Sequence, residues 1–314
     1  MATNIQPNTV GAVYQAIDAA GILKGSATGK VVVVTGAGRG IGQSISKAFA
    51  QAGADALILT ALEHSELEET KQQVQAINPE CRIFLKALDV RDSDAVESFV
   101  DDAAKWSGYR MDILCCNAGI SPPLQPIAET DPHRWWMGLE VNLKGPYLFT
   151  RFVLPIMQKQ KSGHIIITAS RAAVMTDPEM SSYEISKLAV TRLAELIDVE
   201  NSKYGIKSFA IHPGGIVTRL LTDMEDKETE PWAIKASKVI RPNLLEDISL
   251  PGNSCVFLAS GQADFLSGRY VDTTIKLDDL CKEQATIVKH DLFKIRVSLN
   301  WAPEDGVSFF PSRI

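Results

Sequence analysis

Short β-branched and apolar runs recur along the chain, each followed by a stretch with the apolar spacing of a helix. KVVVVT (30–35), ALILT (56–60), CRIFLKA (81–87), DILCC (112–116) and HIIITAS (164–170) are continuous apolar runs. They have the length and composition of strands buried on both faces. IKSFAIHPGG (206–215) supplies a sixth strand and the break that ends it. Between them lie QSISKAFAQAG, an acidic helix from Glu66 to Ile77, the amphipathic SDAVESFVDDAAKW and a long helical region containing PYLFTRFVLPIM. A further helix runs from Ser181 through LAVTRLAELI. Such alternation predicts right-handed βαβ units, and hence an α/β fold with a doubly wound parallel sheet covered on both faces. Residues 1–28 precede the first strand as an arm, with VYQAIDAAGIL as its one helix candidate.

Composition narrows the function classes. The 314 residues suffice for one large α/β domain or two small ones, and 45% hydrophobic residues suit a sizeable core. A net charge of −6 without a basic stretch excludes nucleic acid as a main partner. No apolar run reaches the roughly 20 residues that span a bilayer, so no membrane partner is expected. The N-terminal MATNIQPNTVGAVYQ lacks the basic region and apolar core of a signal peptide, which predicts an intracellular soluble protein. Five scattered cysteines fit reduced thiols; the adjacent Cys115 and Cys116 lack metal-ligand spacing and read as core packing. His133, His164 and His212 likewise have no metal spacing, so no metal site is expected.

Candidate chemistry collects where the predicted strands end. Gly36-Ala37-Gly38-Arg39-Gly40-Ile41-Gly42 lies between a buried strand and a helix. Glycines admit tight turns and close backbone approach, and the helix N-terminus attracts an anion, so this placement predicts a pyrophosphate cradle. Alone, the loop would be only a turn. Asp89, Asn117, Ser170 and Pro213-Gly214 fall at the ends of other strands, where parallel sheets bind ligands. Tyr183 and Lys187 are four residues apart, one turn along one helix face. An ammonium beside a phenol stabilises the phenolate and would draw its pKa down from about 10. Such a tyrosine can exchange a proton with a substrate hydroxyl or carbonyl, whereas the pair in isolation would be an ordinary surface contact.

Taken together, Thr35–Gly42, Asp89-Val90, Asn117-Ala118-Gly119, Asn142, Ser170, Tyr183-x-x-x-Lys187 and Pro213-Gly214-x-Ile216-x-Thr218 resemble the short-chain dehydrogenase/reductase family. The resemblance spans residues 30–275 in the family's order and spacing, and it implies a Rossmann-type single domain at 29–275. It implies that Tyr183 is the general acid or base, that Lys187 lowers its pKa and holds the nicotinamide ribose, and that Ser170 steadies the substrate oxygen. Asn142 would anchor a water that relays protons to Lys187. Gly36, Arg39, Gly40, Ile41 and Gly42 would hold the dinucleotide with Asp89 and Val90 at the adenine, Asn117 at its ribose, and Ile216 and Thr218 at the carboxamide and pyrophosphate. Where the family usually carries an acid after the second strand, this chain reads Thr60-Ala61-Leu62-Glu63; with Arg39 in the loop, that tilts the cofactor toward NADP, while Glu63, if offset by a residue or two, would restore NAD.

The same resemblance implies an NAD(P)-dependent oxidoreductase interconverting a carbonyl and a secondary alcohol on a small, fairly apolar molecule. Length, leader and tail are similar to fungal members, many of them in secondary metabolism. The fold also serves epimerases, dehydratases and cyclases without net redox change, and dinucleotide sensors without catalysis. Met175 and Met180 are pocket candidates, Trp135 and Trp136 read as helix packing, and residues 219–245 fit either a substrate lid or a solvated surface pair of helices. The last strand ends Val271-Asp272-Thr273-Thr274 rather than in the family's Val-Asp-Gly-Gly, and a tail follows over 276–314, which puts the usual C-terminal subunit contact in doubt. A homodimer or homotetramer is expected. Ser312-Arg313-Ile314 resembles a relaxed peroxisomal address, so the cytoplasm is the first expectation and the peroxisome the second.

Overall fold

The computed structural model describes residues 5–121, 124–225, 234, 237–238 and 240–296. The middle of the expected lid and the Ser312-Arg313-Ile314 terminus lie outside the described residues.

Seven strands form one parallel sheet: β1 (Val31–Thr35), β2 (Ala56–Ala61), β3 (Arg82–Ala87), β4 (Ile113–Cys116), β5 (Gly163–Thr168), β6 (Ile206–His212) and β7 (Arg269–Asp272). Their order is β3-β2-β1-β4-β5-β6-β7. The chain leaves β1 toward one edge and returns beside it as β4, so the sheet opens a crevice at the carboxyl ends of these two strands.

Alternation along β1 builds two cores. Val32 and Val34 face α1 (Gly40–Gln51), α2 (His64–Ile77) and the helix Ser249–Ala259. Val31 and Val33 face α3 (Ser93–Trp106), α5 (Gly145–Gln160) and α6 (Ser181–Asn201). Phe49 and Phe257 fill the first core, Phe99 and Phe149 the second. Cys81, Cys115, Cys116 and Cys255 are buried as small apolar residues. His164 stacks on Phe209 and faces Asp264 at 3.1 Å. No helix among the described residues is long and apolar enough to cross a membrane.

The arm departs from its predicted helix. Only Gln15–Ile17 forms a 3-10 turn, and turns follow it. Its buried residues Ile17, Ala19 and Leu23 lack helical spacing, and the Asp18 carboxylate accepts from Ala20 N at 3.0 Å, a local bond that competes with helix. The arm instead runs against the segment after β7 and the one before the Ser249–Ala259 helix. Val10 N donates to Thr274 O at 2.7 Å, Lys276 N to Asn8 O at 2.8 Å and Asp247 N to Gly11 O at 2.7 Å. The Tyr14 hydroxyl accepts from Leu277 N at 2.6 Å, and burial pushes that phenol's pKa up. Tyr14→Phe leaves the Leu277 amide without its partner, so unfolding in urea should show a loss of about 1–3 kcal/mol. An unchanged midpoint would show that the arm only lies on the surface.

At the other end the chain covers its own sheet edge. Tyr270 N, on edge strand β7, donates to Phe293 O at 2.9 Å. Arg296 then clamps this segment to α6 through Glu195 at 2.6 Å and to Asp291 at 2.8 Å. Covering an edge amide is a common way to prevent strand-to-strand association.

Candidate active site

The glycine loop connects β1 to α1. Gly36 and Gly40 adopt φ of +64° and +58°, which favour glycine. Gly42 is required by proximity: a Cβ there would lie 2.0 Å from the Gly36 carbonyl oxygen. Two polar side chains hold the loop from outside. Thr70 Oγ1, on α2, donates to Ala37 O at 2.9 Å, and Asn117 Nδ2 donates to Thr35 O and Gly36 O at 3.3 Å.

This loop fits a dinucleotide pyrophosphate. Arg39 is the N-cap of α1 but makes no side-chain cap bond, so the first-turn amides stand ready for an anion. Among the described residues, the position of the missing Gly40 Cβ has only Thr218 within 4 Å, at 3.7 Å, so the loop and Thr218 flank the space a phosphate would take. Ile216, two residues earlier on the same segment, is buried.

Other expected cofactor residues have partners of their own. Asp89 is gripped by Arg91, whose Nε and Nη2 reach its Oδ2 at 2.9 and 2.6 Å, and this bond holds the carboxyl below the ordinary range. The carboxylate is therefore anchored beside the site, not free to turn toward a base. Val90 is buried under Gly145, where a Cβ would come within 2.9 Å of Val90 Cγ2. The Asn117 amide props the glycine loop instead of projecting outward. Arg39 Nη1 pairs with Glu66 Oε1 at 2.5 Å, and Arg219 Nη1 meets the same oxygen at 3.3 Å. Glu66 thereby joins the loop, α2 and the start of α7 (Arg219–Glu225). Nothing in the local sequence marks Glu66, because its partners come from distant segments.

Ser170, Tyr183 and Lys187 converge beyond β5. Ser170 lies two residues past the strand in extended backbone, and its Oγ accepts from Ala172 N at 3.2 Å as the cap of a 3-10 turn over Arg171–Ala173. Its hydroxyl also hydrogen-bonds the Tyr183 phenol. Tyr183 stands in the first turn of α6, pinned to α4 (Pro132–Leu139) by Trp135 Nε1 donating to Ser181 Oγ at 3.0 Å and Ser182 Oγ donating to Trp135 O at 2.6 Å. Trp135 is thus helix packing; Trp136 is 58% exposed and meets it edge-on.

Lys187 is buried, with Nζ 5.6 Å from the centre of the Tyr183 ring and donating to Thr168 O at 2.9 Å. Thr168 Oγ1 donates to Asn117 Oδ1 at 3.4 Å, so hydrogen bonds run from Lys187 through Thr168 and Asn117 to the glycine loop. Nothing in the sequence marks Thr168, which as the last residue of β5 carries no motif of its own.

Asn142 lies in a π-helical turn, Glu140–Lys144, between α4 and α5. The bulge aims its amide inward, a common feature of functional sites. Oδ1 accepts from Ile120 N at 2.9 Å, and Nδ2 donates to Ile120 O at 3.0 Å and to Ser186 Oγ at 3.1 Å. Asn142 therefore ties the strand-four loop to α6. A Cβ on Gly119 would lie 3.2 Å from Asn142 Oδ1 and 3.6 Å from Lys187 Nζ, which places both groups around one small space.

Electrostatics correct one expectation. Burial raises the Tyr183 pKa above its ordinary value, and the Ser170 hydrogen bond offsets only part of that. Lys187 is itself pushed down to about 8 by burial. Helical spacing gives proximity, but desolvation of both groups opposes the phenolate. In this arrangement the phenol holds its proton at neutral pH and is poised to donate it.

A family model described as short chain dehydrogenase matches residues 30–229. The protein named short chain dehydrogenase mpl6 of Monascus purpureus is 36% identical over 274 residues, covering 86% of this chain and 89% of that protein. Short chain dehydrogenase pigC of Monascus ruber is 31% identical over 288 residues and 90% of each chain. Among solved structures, levodione reductase superposes with a TM-score of 0.71 at 29% identity, over 78% of this chain and 96% of its own. NAD+-bound xylitol dehydrogenase gives 0.71 at 25% identity, over 78% and 98%.

Proposed function

Given that the chain belongs to the short-chain dehydrogenase family, we propose that it is an NAD(P)-dependent oxidoreductase interconverting a carbonyl and a secondary alcohol on a small, fairly apolar molecule. The observation that carries this reading is the Ser170–Tyr183–Lys187 cluster beside the glycine loop. A bound nicotinamide would supply or accept the hydride. Tyr183 gives its proton to the substrate oxygen in reduction and takes one in oxidation. Ser170 donates to the same oxygen and steadies its developing charge. Lys187, cationic below about pH 8, favours the phenolate left behind. Asn142 holds α6 against the strand-four loop, keeping Lys187 and Tyr183 in register.

Gly36, Gly40, Ile41 and Gly42 would receive the pyrophosphate, with Ile216 and Thr218 opposite. Asp89, Val90 and Asn117 frame the adenosine end. Arg39 and Arg219, gathered by one glutamate, favour a 2′-phosphate and hence NADP. Exposed Val174 and Met175 after β5, with Val217 and Leu220 after β6, suit an apolar substrate. The test is dinucleotide consumption across a panel of ketones and alcohols. Arg39→Ala should lower kcat/KM for NADPH by about tenfold, the loss of one charged contact, and leave NADH turnover nearly unchanged. Equal losses for both would contradict the NADP assignment, and turnover without net dinucleotide change would favour an epimerase or dehydratase.

The α6 helix exposes Ile185, Leu188, Leu196 and Val199 along one face, with Tyr147 on α5 also exposed. Among the described residues nothing covers this apolar stripe, which supports a homodimer built on α5 and α6. Sedimentation of the protein as a monomer at micromolar concentration would contradict it.

A further inference from the structure

His212 stands at the end of β6, behind the turn that carries Ser170. The β5–β6 ladder continues past β5 as Ala169 N donates to Ile211 O at 2.8 Å. In a parallel ladder the next donor on that strand would be Arg171 N. The chain has by then turned into the 3-10 segment, and the His212 ring takes that donor: Arg171 N donates to Nδ1 at 3.1 Å. We propose that His212 is a positioning residue for Ser170, its neutral imidazole fixing through the Arg171 amide the turn that aims the Ser170 hydroxyl at Tyr183. This rests on the oxidoreductase reading for its catalytic consequence.

Only a neutral ring offers Nδ1 as an acceptor; protonation turns it into a donor and breaks the contact. His212 is 7% exposed, and burial lowers its pKa below the ordinary histidine value, which keeps the ring neutral at physiological pH. The charged groups around it are Asp272 on β7, Glu246 ahead of the Ser249–Ala259 helix, and the Arg171 side chain. The two carboxylates pull the pKa back up and the guanidinium lowers it, so burial decides the direction. The Arg171 side chain holds the same point of the turn. Arg171 Nη2 donates to Asp272 Oδ2 at 3.1 Å and to Thr274 Oγ1 at 3.3 Å. Thr273, in the segment that replaces a glycine pair, donates through N and Oγ1 to His212 O at 3.0 and 2.9 Å, fixing the ring's own backbone. Ser170 is therefore placed from behind by β6 and β7 and not by its own strand alone.

The experiment compares His212→Leu, which removes the acceptor, with His212→Asn, whose amide oxygen stands about where Nδ1 stands. With NADPH and an aromatic 1,2-diketone as probe carbonyl, His212→Leu should lose about 10- to 100-fold in kcat with little change in KM, as expected of misplacement by a fraction of an ångström. His212→Asn should retain most of the activity and lose the acidic limb of the kcat profile. In dinucleotide-free protein, the Arg171 amide should be protected from hydrogen exchange in wild type and His212→Asn, and unprotected in His212→Leu. Protection in wild type alone should fall as the imidazole protonates. Equal Arg171 protection in all three proteins, or His212→Asn failing as badly as His212→Leu in both readouts, would overturn the assignment. A wild-type protein that turns over no carbonyl would contradict the oxidoreductase reading instead, and the exchange measurement would still decide whether His212 holds the turn.

Discussion

Tyr183→Phe should lower kcat for carbonyl reduction by about 100- to 10,000-fold, the range spanned by loss of a positioned acid, while leaving dinucleotide affinity unchanged. The change removes one oxygen from a half-buried ring in the first turn of α6, and the ring keeps its place beside Lys187. What disappears is the proton donor and the partner of the Ser170 hydroxyl. Binding of NADPH, followed by quenching of tryptophan fluorescence, separates the two effects. A variant that binds and also turns over at near wild-type rate would remove Tyr183 from the chemistry. Loss of binding together with turnover would show that the phenol is a structural member of the loop network.

The second large effect is expected at Gly42. Gly42→Ala puts a methyl 2.0 Å from the Gly36 carbonyl oxygen and 2.7 Å from Asn117 Nδ2. Neither neighbour is a flexible side-chain end with room to retreat: one is backbone, and the other is bonded to Thr35 O and Gly36 O. The loop has to open, at about 3 kcal/mol for an overpacked contact. If that displacement is expressed in binding, dinucleotide affinity falls on the order of 100-fold. Calorimetric titration of the folded variant measures it directly. Unchanged affinity would mean that the strand-one loop does not carry the pyrophosphate. The Asn117–Thr168–Lys187 chain adds a further consequence, because a loop pushed open also disturbs the lysine.

Much of this architecture was legible in the chain, for physical reasons that differ from element to element. Strands buried on both faces have no polar alternation, so VVVVT and HIIIT are recognisable as they stand, and Val31–Thr35 and Gly163–Thr168 are strands. The helix over Ser93–Trp106 is bounded by an Asp92 cap that accepts from Asp94 N and Ala95 N, a local signal within the segment itself. The arm had no such signal, and its apolar residues answer to the Ser249–Ala259 and Leu277–Lys282 helices rather than to a helical period of their own. Motif spacing located Ser170, Tyr183 and Lys187, because one loop and one helix bring them together.

Other features depend on contacts between distant segments, and spacing is silent on those. Glu66 between Arg39 and Arg219, and Arg91 over Asp89, redirect charges that the sequence left open. The sign of the Tyr183 shift is the clearest case. Four-residue spacing predicts a cation beside a phenol, but the three-dimensional burial of both groups decides which protonation state survives.

The pH dependence of kcat/KM for carbonyl reduction reveals which form of Tyr183 is active. With the phenol protonated and Lys187 cationic, the rate should be level from neutrality to about 8, then fall as the lysine loses its proton. A reduction rate that instead climbs with pH through that interval would make the ionised phenol the working species, and the proton-donor account would be wrong.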